Sequence, residues 1–200
     1  RIALSGGATG YDIIWGDHQL IQEFAMNGWL QPIDSFVTEY GDEYQFGDYA
    51  DSAWGALTSQ GETFAVPSAS NVWFLYCRQD LFEQAGLPYP PKTLAELMEA
   101  VEVLHEPGVR YGFATTLLRG INGANAMQYF LRLYGGSWVD DNMEPNFGGD
   151  AGRMAIETLR ELVQYAPPDV LTYNNNDMMN AVQQDKVAVG FLWASRAGHV

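Results

Sequence analysis

The residues of this sequence that could perform catalysis do not fall into the spacings of known catalytic motifs. The glycine-rich stretch 5–10 lacks the Lys and the Ser or Thr of a phosphate-binding loop, and it precedes an apolar segment instead of following a strand. No GxSxG, HExxH or CxxC pattern occurs in the chain. A pair of carboxylates for glycoside hydrolysis could be distant in sequence, but no local pattern nominates one. The sequence therefore nominates no catalytic residue.

The single cysteine, Cys77, lies in the apolar run 72–77. A lone cysteine cannot form an internal disulfide, so the fold must be stabilised by its core. Three histidines occur in the chain, His18, His105 and His199, and none has a recognisable pairing with Cys77. We predict a buried structural thiol rather than a nucleophile.

The acidic stretch 140–150 could be imagined as a calcium-binding loop. Its spacing does not match that of an EF-hand, and an acidic turn followed by a helix cap at Asp150 explains it with fewer assumptions. We predict no metal site and no cofactor.

Composition excludes several classes of partner. The chain has 25 Asp and Glu residues against 10 Lys and Arg residues, a formal net charge of -15. Nucleic acids and anionic membranes both require a basic surface, so neither is an expected partner. The acidity is typical of a protein kept dispersed by self-repulsion, which would also suit a salty habitat. No apolar run approaches the roughly 20 residues of a membrane-spanning helix. Because the sequence begins at Arg1, we interpret it as a piece of a longer chain.

Periodicity and capping residues predict alternating strands and helices. The capping box of Thr93 and Glu96 marks the most clearly defined helix start, and Leu94, Leu97 and Val101 continue it as an apolar stripe. This alternation predicts an α/β fold built on mainly parallel sheets. Strands are predicted at 12–15, 63–67, 71–77, 111–115 and 187–193, and the other helices at 17–27, 80–85, 122–134, 150–165 and 176–184.

Several segments together resemble the extracellular solute-binding proteins of ABC importers, in the family that carries maltose, other sugars and polyols. Each segment alone is weakly specific, but their order and spacing along most of the chain are distinctive. Tyr11 stands where the family usually has Pro, and the family's opening strand and everything after its last matched strand are missing. The matching segments are 11–18, 24–34, 66–67, 75–82, 90–97, 133–136 and 187–193.

This resemblance implies a two-lobed clamshell of the type II periplasmic-binding-protein class, with both lobes incomplete in this chain. Residues 1–110 would belong to the first lobe and residues 111–200 to the second. The implied protein is a monomer without enzymatic activity. It binds a sugar, oligosaccharide or polyol between the lobes and delivers it to a membrane permease, in the periplasm or outside the cell, with or without a lipid anchor.

The resemblance also implies which residues contact the ligand. A sugar needs carboxylate or amide groups for its hydroxyls and an aromatic ring for its C–H face. Five of the six candidates also have a purely structural alternative: a helix cap for Asp17, a turn for Asn71, core packing for Trp73 and Trp193, and a solvent-facing cap for Asn125. The candidates are Trp15, Asp17, Asn71, Trp73, Asn125 and Trp193.

Two other functions remain open at this point. A carbohydrate-active α/β enzyme would release product from a glycoside. A binding protein for another solute, such as a phosphorylated polyol, would need several arginines or a helix N-terminus in its cleft, and basic residues are scarce here.

Overall fold

The computed structural model describes residues 2–6, 10–68, 71–140, 142 and 144–199. The chain divides into two compact units, residues 1–70 and residues 71–200. The sequence-based division into lobes at residues 110 and 111 refers to the complete protein and stays a prediction. Most of the glycine-rich stretch 5–10 lies outside the described residues.

The first unit consists of short elements. The strands β1 and β2 pair antiparallel as a hairpin, with Thr58 opposite Thr63. The Gln22 side chain fastens a helix to this hairpin, because its Nε2 donates to Thr58 O at 2.8 Å and its Oε1 accepts from Ser59 Oγ at 2.8 Å. The elements are α1 (Ile2–Ser5), α2 (Ile21–Met26), α3 (Asp34–Tyr40), α4 (Asp51–Gly55), β1 (Thr58–Ser59) and β2 (Glu62–Thr63).

An aromatic cluster holds α3 and α4 together with the 3₁₀ turn Phe46–Asp48 between them. The rings of Phe36 and Tyr40 lie 4.9 Å apart, and Phe46 lies 6.0 Å from Phe36 and 5.6 Å from Trp54. Neither helix has a side-chain cap at its N-terminus. Ring packing therefore stabilises two helices that local capping leaves weak.

Two of the predicted strands in this unit are wrong or much shortened. Residues 12–15 form no strand, and Ile13 is 90% exposed. The predicted strand 63–67 reduces to the two residues of β2. A strand requires a hydrogen-bonded neighbour, and the described residues place none beside 12–15.

The second unit is built on a three-stranded sheet in the order β3-β5-β4. Strand β5 pairs antiparallel with β3 and parallel with β4, so the sheet is mixed and the prediction of mainly parallel pairing is wrong for the described sheets. The elements are β3 (Trp73–Cys77), α5 (Gln79–Ala85), α6 (Leu94–Val103), β4 (Tyr111–Ala114), α7 (Ile121–Leu133), α8 (Asp150–Val163), α9 (Asn175–Gln183) and β5 (Val187–Trp193).

Helices α6 and α9 cover one face of this sheet. A Cβ built on Gly112 of β4 would meet the Val101 carbonyl oxygen of α6 at 1.9 Å. A Cβ built on Gly190 of β5 would meet Met178 Cε of α9 at 2.1 Å. Glycine at these two positions is what allows the helices to approach so closely.

Helix α7 covers the opposite face. Successive side chains of a strand point to opposite faces, so Phe191 lies on the other side of the sheet from Gly190. The Phe191 ring contacts Tyr129 and Phe130 of α7 at 4.4 and 5.9 Å. The core of the second unit is thus a sheet between two helical layers, and β5 is its buried centre.

Sequence signals located most elements of this unit correctly. The predicted strand 187–193 and the capping box at Thr93 are confirmed as they stood. The helices α5, α7, α8 and α9 begin within one residue and end within two residues of their predicted bounds.

Candidate functional site

Two of the predicted ligand-binding residues, Trp73 and Trp193, are cross-strand partners. They stand directly opposite each other on β3 and β5, and their rings lie 5.5 Å apart in an edge-to-face arrangement of 79°. Ala194 N donates to Val72 O, so the adjacent pair, Val72 and Ala194, is a hydrogen-bonded pair of the ladder. Trp73 and Trp193 therefore form a non-hydrogen-bonded pair, the kind in which facing side chains come closest.

The tryptophan pair belongs to a larger aromatic wall. Trp73 stacks on Phe191 at 6.3 Å with a 16° angle between the rings, and it lies 6.3 Å from Tyr129. Both tryptophans are half-buried, so one part of each ring packs in the core while the other part stays accessible. The indole Nε1 of Trp73 is buried without a hydrogen-bond acceptor among the described residues. A half-buried aromatic surface of this kind can accept the C–H face of a sugar ring or the chain of a polyol.

Asn71 lies beside this wall, and its amide is already engaged. Its Nδ2 donates to Ser195 Oγ at 3.0 Å, and its Oδ1 accepts from Ser195 N at 3.2 Å. Both side chains are exposed. Direct contact between Asn71 and a ligand stays a prediction.

Asn125 lies on α7, one turn before Tyr129 and therefore on the same side of the helix. Its side chain is half-exposed. This spacing puts a polar amide on the helix face that carries the aromatic wall. Contact between Asn125 and a ligand stays a prediction.

Trp15 and Asp17 belong to the first unit. The Trp15 side chain is 85% exposed, and its Nε1 donates to Ser68 Oγ at 3.0 Å. Asp17 precedes the 3₁₀ turn His18–Leu20, but its carboxylate makes no capping hydrogen bond; only its backbone carbonyl accepts, from Leu20 N at 2.9 Å. The side-chain cap predicted for Asp17 is therefore wrong, and the exposed carboxylate is available to bind a hydroxyl.

Two hydroxyls at the end of the sheet were not among the predicted residues. Tyr76 Oη donates to the Trp193 carbonyl at 3.0 Å, and Thr115 Oγ1 donates to the Phe191 carbonyl at 3.4 Å. Strand β4 ends at Ala114, so it offers no backbone N–H groups to these two carbonyls of β5. The position of Thr115 at the end of a predicted strand could have identified it as a candidate site residue, because ligands of α/β proteins bind at strand ends. No sequence signal could have flagged Tyr76.

Two arginine side chains near the sheet, Arg78 and Arg110, lie against carboxylates. Arg78 makes two hydrogen bonds to Asp80, at 2.6 and 2.9 Å, and also pairs with Asp185. The hydrogen bonds from Arg78 lower the pKa of the Asp80 carboxyl group. Arg110 Nε lies 3.7 Å from the same Asp185 oxygen. These two guanidinium groups are therefore partly neutralised before any anion could reach them.

The acidic turn at 140–150 is held by its own backbone. Asp140 Oδ1 accepts from Asn142 N at 2.8 Å and from Glu144 N at 3.0 Å. These hydrogen bonds lower the pKa of Asp140. Within the described ranges, no group of three or more His, Cys, Asp or Glu side chains is arranged to hold a metal ion. Asp141 lies outside the described residues.

Cys77 is half-buried at the end of β3, beside a cavity of about 320 Å³ lined by Tyr76, Arg78, Val182 and the 187–190 segment. Burial raises the pKa of the Cys77 thiol from 9.0 to about 11. The uncharged thiol is thus the stable form at neutral pH, as expected for a structural residue.

We expect Cys77 to react slowly with thiol reagents. A pKa near 11 leaves the folded protein about a hundredfold less thiolate at pH 8 than a thiol with the unshifted value of 9.0. A thiolate of higher pKa is also more nucleophilic, so alkylation by iodoacetamide at pH 8 should be about tenfold or more slower in the folded protein than in the urea-unfolded protein, as followed by mass spectrometry. Equal rates in the two states would contradict the burial of the thiol.

Among the described residues, no helix is both long and apolar enough to cross a membrane. A second cavity, of about 360 Å³, lies along α8 between Glu157 and Tyr165. Neither this cavity nor the one beside Cys77 is lined by any of the six predicted ligand-binding residues.

Comparison with known proteins gives consistent matches. The sequence model of one family, described as bacterial extracellular solute-binding protein, matches residues 1–199. The mannitol-binding protein of Pseudomonas aeruginosa is 28% identical over 178 residues, which are 86% of this chain and 39% of that protein. The maltotriose-binding protein of Pyrococcus abyssi is 30% identical over 146 residues, which are 72% of this chain and 29% of that protein.

Solved structures agree with these relatives. An ABC transporter solute-binding protein from Agrobacterium radiobacter in complex with ribitol is similar with a TM-score of 0.88 at 25% identity, covering 96% of this chain and 49% of that chain. The chain therefore spans less than half the length of these three proteins. The similarity confirms the predicted fold class, the α/β fold of two-lobed solute-binding proteins.

Proposed function

Because this chain belongs to the bacterial extracellular solute-binding protein family, we propose that it is part of a protein that binds a sugar, an oligosaccharide or a polyol and delivers it to the permease of an ABC importer. The protein acts outside the inner membrane and catalyses no reaction on its ligand. Mannitol, maltotriose and ribitol are the ligands named for the three similar proteins, and all are uncharged and rich in hydroxyls.

The observation that carries this proposal is the aromatic wall of the second unit. Trp193 ends β5 with its ring half-exposed against Trp73, and Tyr129 and Phe191 support the pair from beneath. Such a surface favours the C–H face of a carbohydrate, and Asn125 of the same unit is the proposed partner of its hydroxyls. In the first unit, the exposed ring of Trp15 and the carboxylate of Asp17 are the proposed ligand contacts.

The charges near the sheet favour a neutral ligand over a phosphorylated one. Arg78 and Arg110 are paired with Asp185, and Arg153 of α8 is paired with Asp150 and Glu157. A phosphate ester would have to compete with these carboxylates for the guanidinium groups. The formal net charge of -15 would also repel an anion.

A thermal-shift screen tests the function directly. We would use hexitols, pentitols, maltose oligomers and other disaccharides, with a glycerol phosphate and a short peptide as controls. A ligand that binds only the folded state stabilises it by about 2.7 kcal/mol at a hundredfold excess over the dissociation constant, which raises the melting midpoint. A shift with the phosphate ester or the peptide alone would refute the carbohydrate assignment, and turnover of a glycoside would refute the absence of catalysis.

The variant Trp193→Ala should lose affinity for whichever carbohydrate the screen identifies. Removing a central aromatic contact typically costs about 2 kcal/mol, or roughly thirtyfold in the dissociation constant measured by titration calorimetry. The matched control is Trp138→Ala, because Trp138 is also half-buried in the second unit but packs against Phe147 instead. Equal losses of affinity in the two variants would remove Trp193 from the site.

A further inference from the structure

Asn71 stands at the position where the ladder between β3 and β5 stops. Trp73 is opposite Trp193, and the bond from Ala194 N to Val72 O, 2.8 Å long, is the last backbone bond between the two strands. Ser195 is the residue that would stand opposite Asn71 if the ladder continued. The chain instead turns there into the 3₁₀ helix Ala194–His199.

The Asn71 side chain joins the two strands at a position where the backbone ladder itself would make no bond. Along two antiparallel strands, hydrogen-bonded and non-hydrogen-bonded residue pairs alternate, and Asn71 and Ser195 would form a non-hydrogen-bonded pair. The amide of Asn71 nevertheless joins the strands, because it donates to Ser195 Oγ at 3.0 Å and accepts from Ser195 N at 3.2 Å. One side chain thus makes two bonds to one residue across 124 positions of sequence.

Several contacts hold the chain at and directly after Trp193. The Asn71–Ser195 contact and the Ala194 N–Val72 O bond fix the two residues that follow it. Tyr76 Oη donates to the Trp193 carbonyl at 3.0 Å. The backbone of Trp193 is therefore restrained although it is the last residue of its strand, where strands ordinarily fray.

We infer that Asn71 is a positioning residue, which clips Ser195 to the start of β3 and so holds the Trp193 ring in its edge-to-face arrangement with Trp73. A ring held in advance loses less freedom when a ligand covers it, and this improves affinity. Asn71 would then act on ligand binding through Trp193. The effect on ligand affinity rests on the proposed function, whereas the effect on the tryptophan pair does not.

The tryptophan pair supplies a readout that needs no ligand. Two indole rings at 5.5 Å couple their electronic transitions, and the resulting circular-dichroism couplet depends on their distance and angle. Trp73 and Trp193 form the one tryptophan–tryptophan contact that the structure describes among its ring pairs, so Trp73→Phe identifies their signal. Asn71→Leu removes both bonds to Ser195, whereas Asn71→Asp keeps an oxygen acceptor for Ser195 N and another for its hydroxyl.

The inference predicts a weakened couplet in Asn71→Leu and a retained couplet in Asn71→Asp, with melting midpoints near that of the parent protein because both positions are exposed. Affinity for the carbohydrate found by the screen should fall about tenfold in Asn71→Leu and change little in Asn71→Asp. Ser195→Ala should give a smaller loss of affinity, and adding it to Asn71→Leu should cause almost no further loss, because both remove the same contact.

Other outcomes separate the inference from the proposed function. An unchanged couplet in Asn71→Leu overturns the positioning role whether or not any ligand binds. Independent, additive losses for the Asn71 and Ser195 variants would mean that Asn71 contacts the ligand itself, which also overturns it. If the parent protein binds no carbohydrate, the proposed function fails, and the couplet still decides the role of Asn71.

Discussion

Replacing Phe191 with Ala should lower the free energy of unfolding by about 3–5 kcal/mol, the usual cost of truncating a fully buried phenylalanine. Phe191 is 2% exposed at the centre of β5. Its ring lies within 6.3 Å of four others, so the cavity left by the truncation would be lined by rigid rings that cannot collapse into it. The four rings are those of Trp73, Phe113, Tyr129 and Phe130.

Phe74→Ala is the matched control, because Phe74 lies on the neighbouring strand of the same sheet but is 50% exposed. Its truncation should cost about 1 kcal/mol or less, since half of the side chain is already in water. Urea denaturation followed by far-ultraviolet circular dichroism compares the two variants. A loss in Phe191→Ala no larger than in Phe74→Ala would contradict the central place of Phe191.

Ligand binding should respond to the same change. Phe191 stacks beneath Trp73 at 16°, and Trp73 in turn faces Trp193. A cavity at Phe191 would let Trp73 move away from its partner, so the core and the proposed binding surface are one packed structure. The rings of the aromatic wall keep their positions only because the buried centre of the sheet supports them.

Sequence patterns were sufficient wherever an element is determined locally. Helix α6 begins where Thr93 and Glu96 form their reciprocal cap, and both bonds are present in the structure. Gly86 closes α5 with a φ of 68°, a conformation that glycine adopts without strain. The six-residue buried run of β5 is apolar throughout, and its predicted bounds match the structure. Caps, glycine stops and apolar runs act over a few residues, so they can be read directly.

Features that depend on distant partners could not be read in this way. Residues 12–15 are apolar enough for a strand, but a strand exists only where another strand supplies hydrogen bonds. The antiparallel direction of β3 depends on a connection of more than one hundred residues to β5, in which helices alternate with strands just as they would in a parallel fold. The helices α3 and α4 have no side-chain caps and depend on ring packing, so no local pattern marks them.

The candidate site shows the same division. Trp73 and Trp193 were each nominated by the resemblance, but their cross-strand pairing follows from a register that joins positions 120 residues apart. The contact between Asn71 and Ser195 follows from that same register. The residue types proposed for the site could therefore be predicted from the sequence. The contacts between them, which separate a ligand-contacting residue from a positioning residue, could be found only from the fold.

Gly112→Ala should lower the free energy of unfolding by about 4 kcal/mol or more, although it adds only one methyl group. The added Cβ would lie 1.9 Å from the Val101 carbonyl oxygen and 2.9 Å from its carbonyl carbon. These are backbone atoms in the last turn of α6, so no side-chain rotation can relieve the overlap. The helix would have to move away from β4, and the bond from Gly112 N to His105 Nδ1, now 3.2 Å long, would be strained with it.

Gly148→Ala provides the control, since a Cβ at Gly148 would meet nothing within 4 Å. That variant should match the parent protein or gain up to about 1 kcal/mol, because alanine restricts the unfolded chain. Urea denaturation of the two variants separates the steric effect from the general effect of replacing glycine. A Gly112→Ala protein as stable as Gly148→Ala would mean that α6 does not approach β4 as closely as the structure places it.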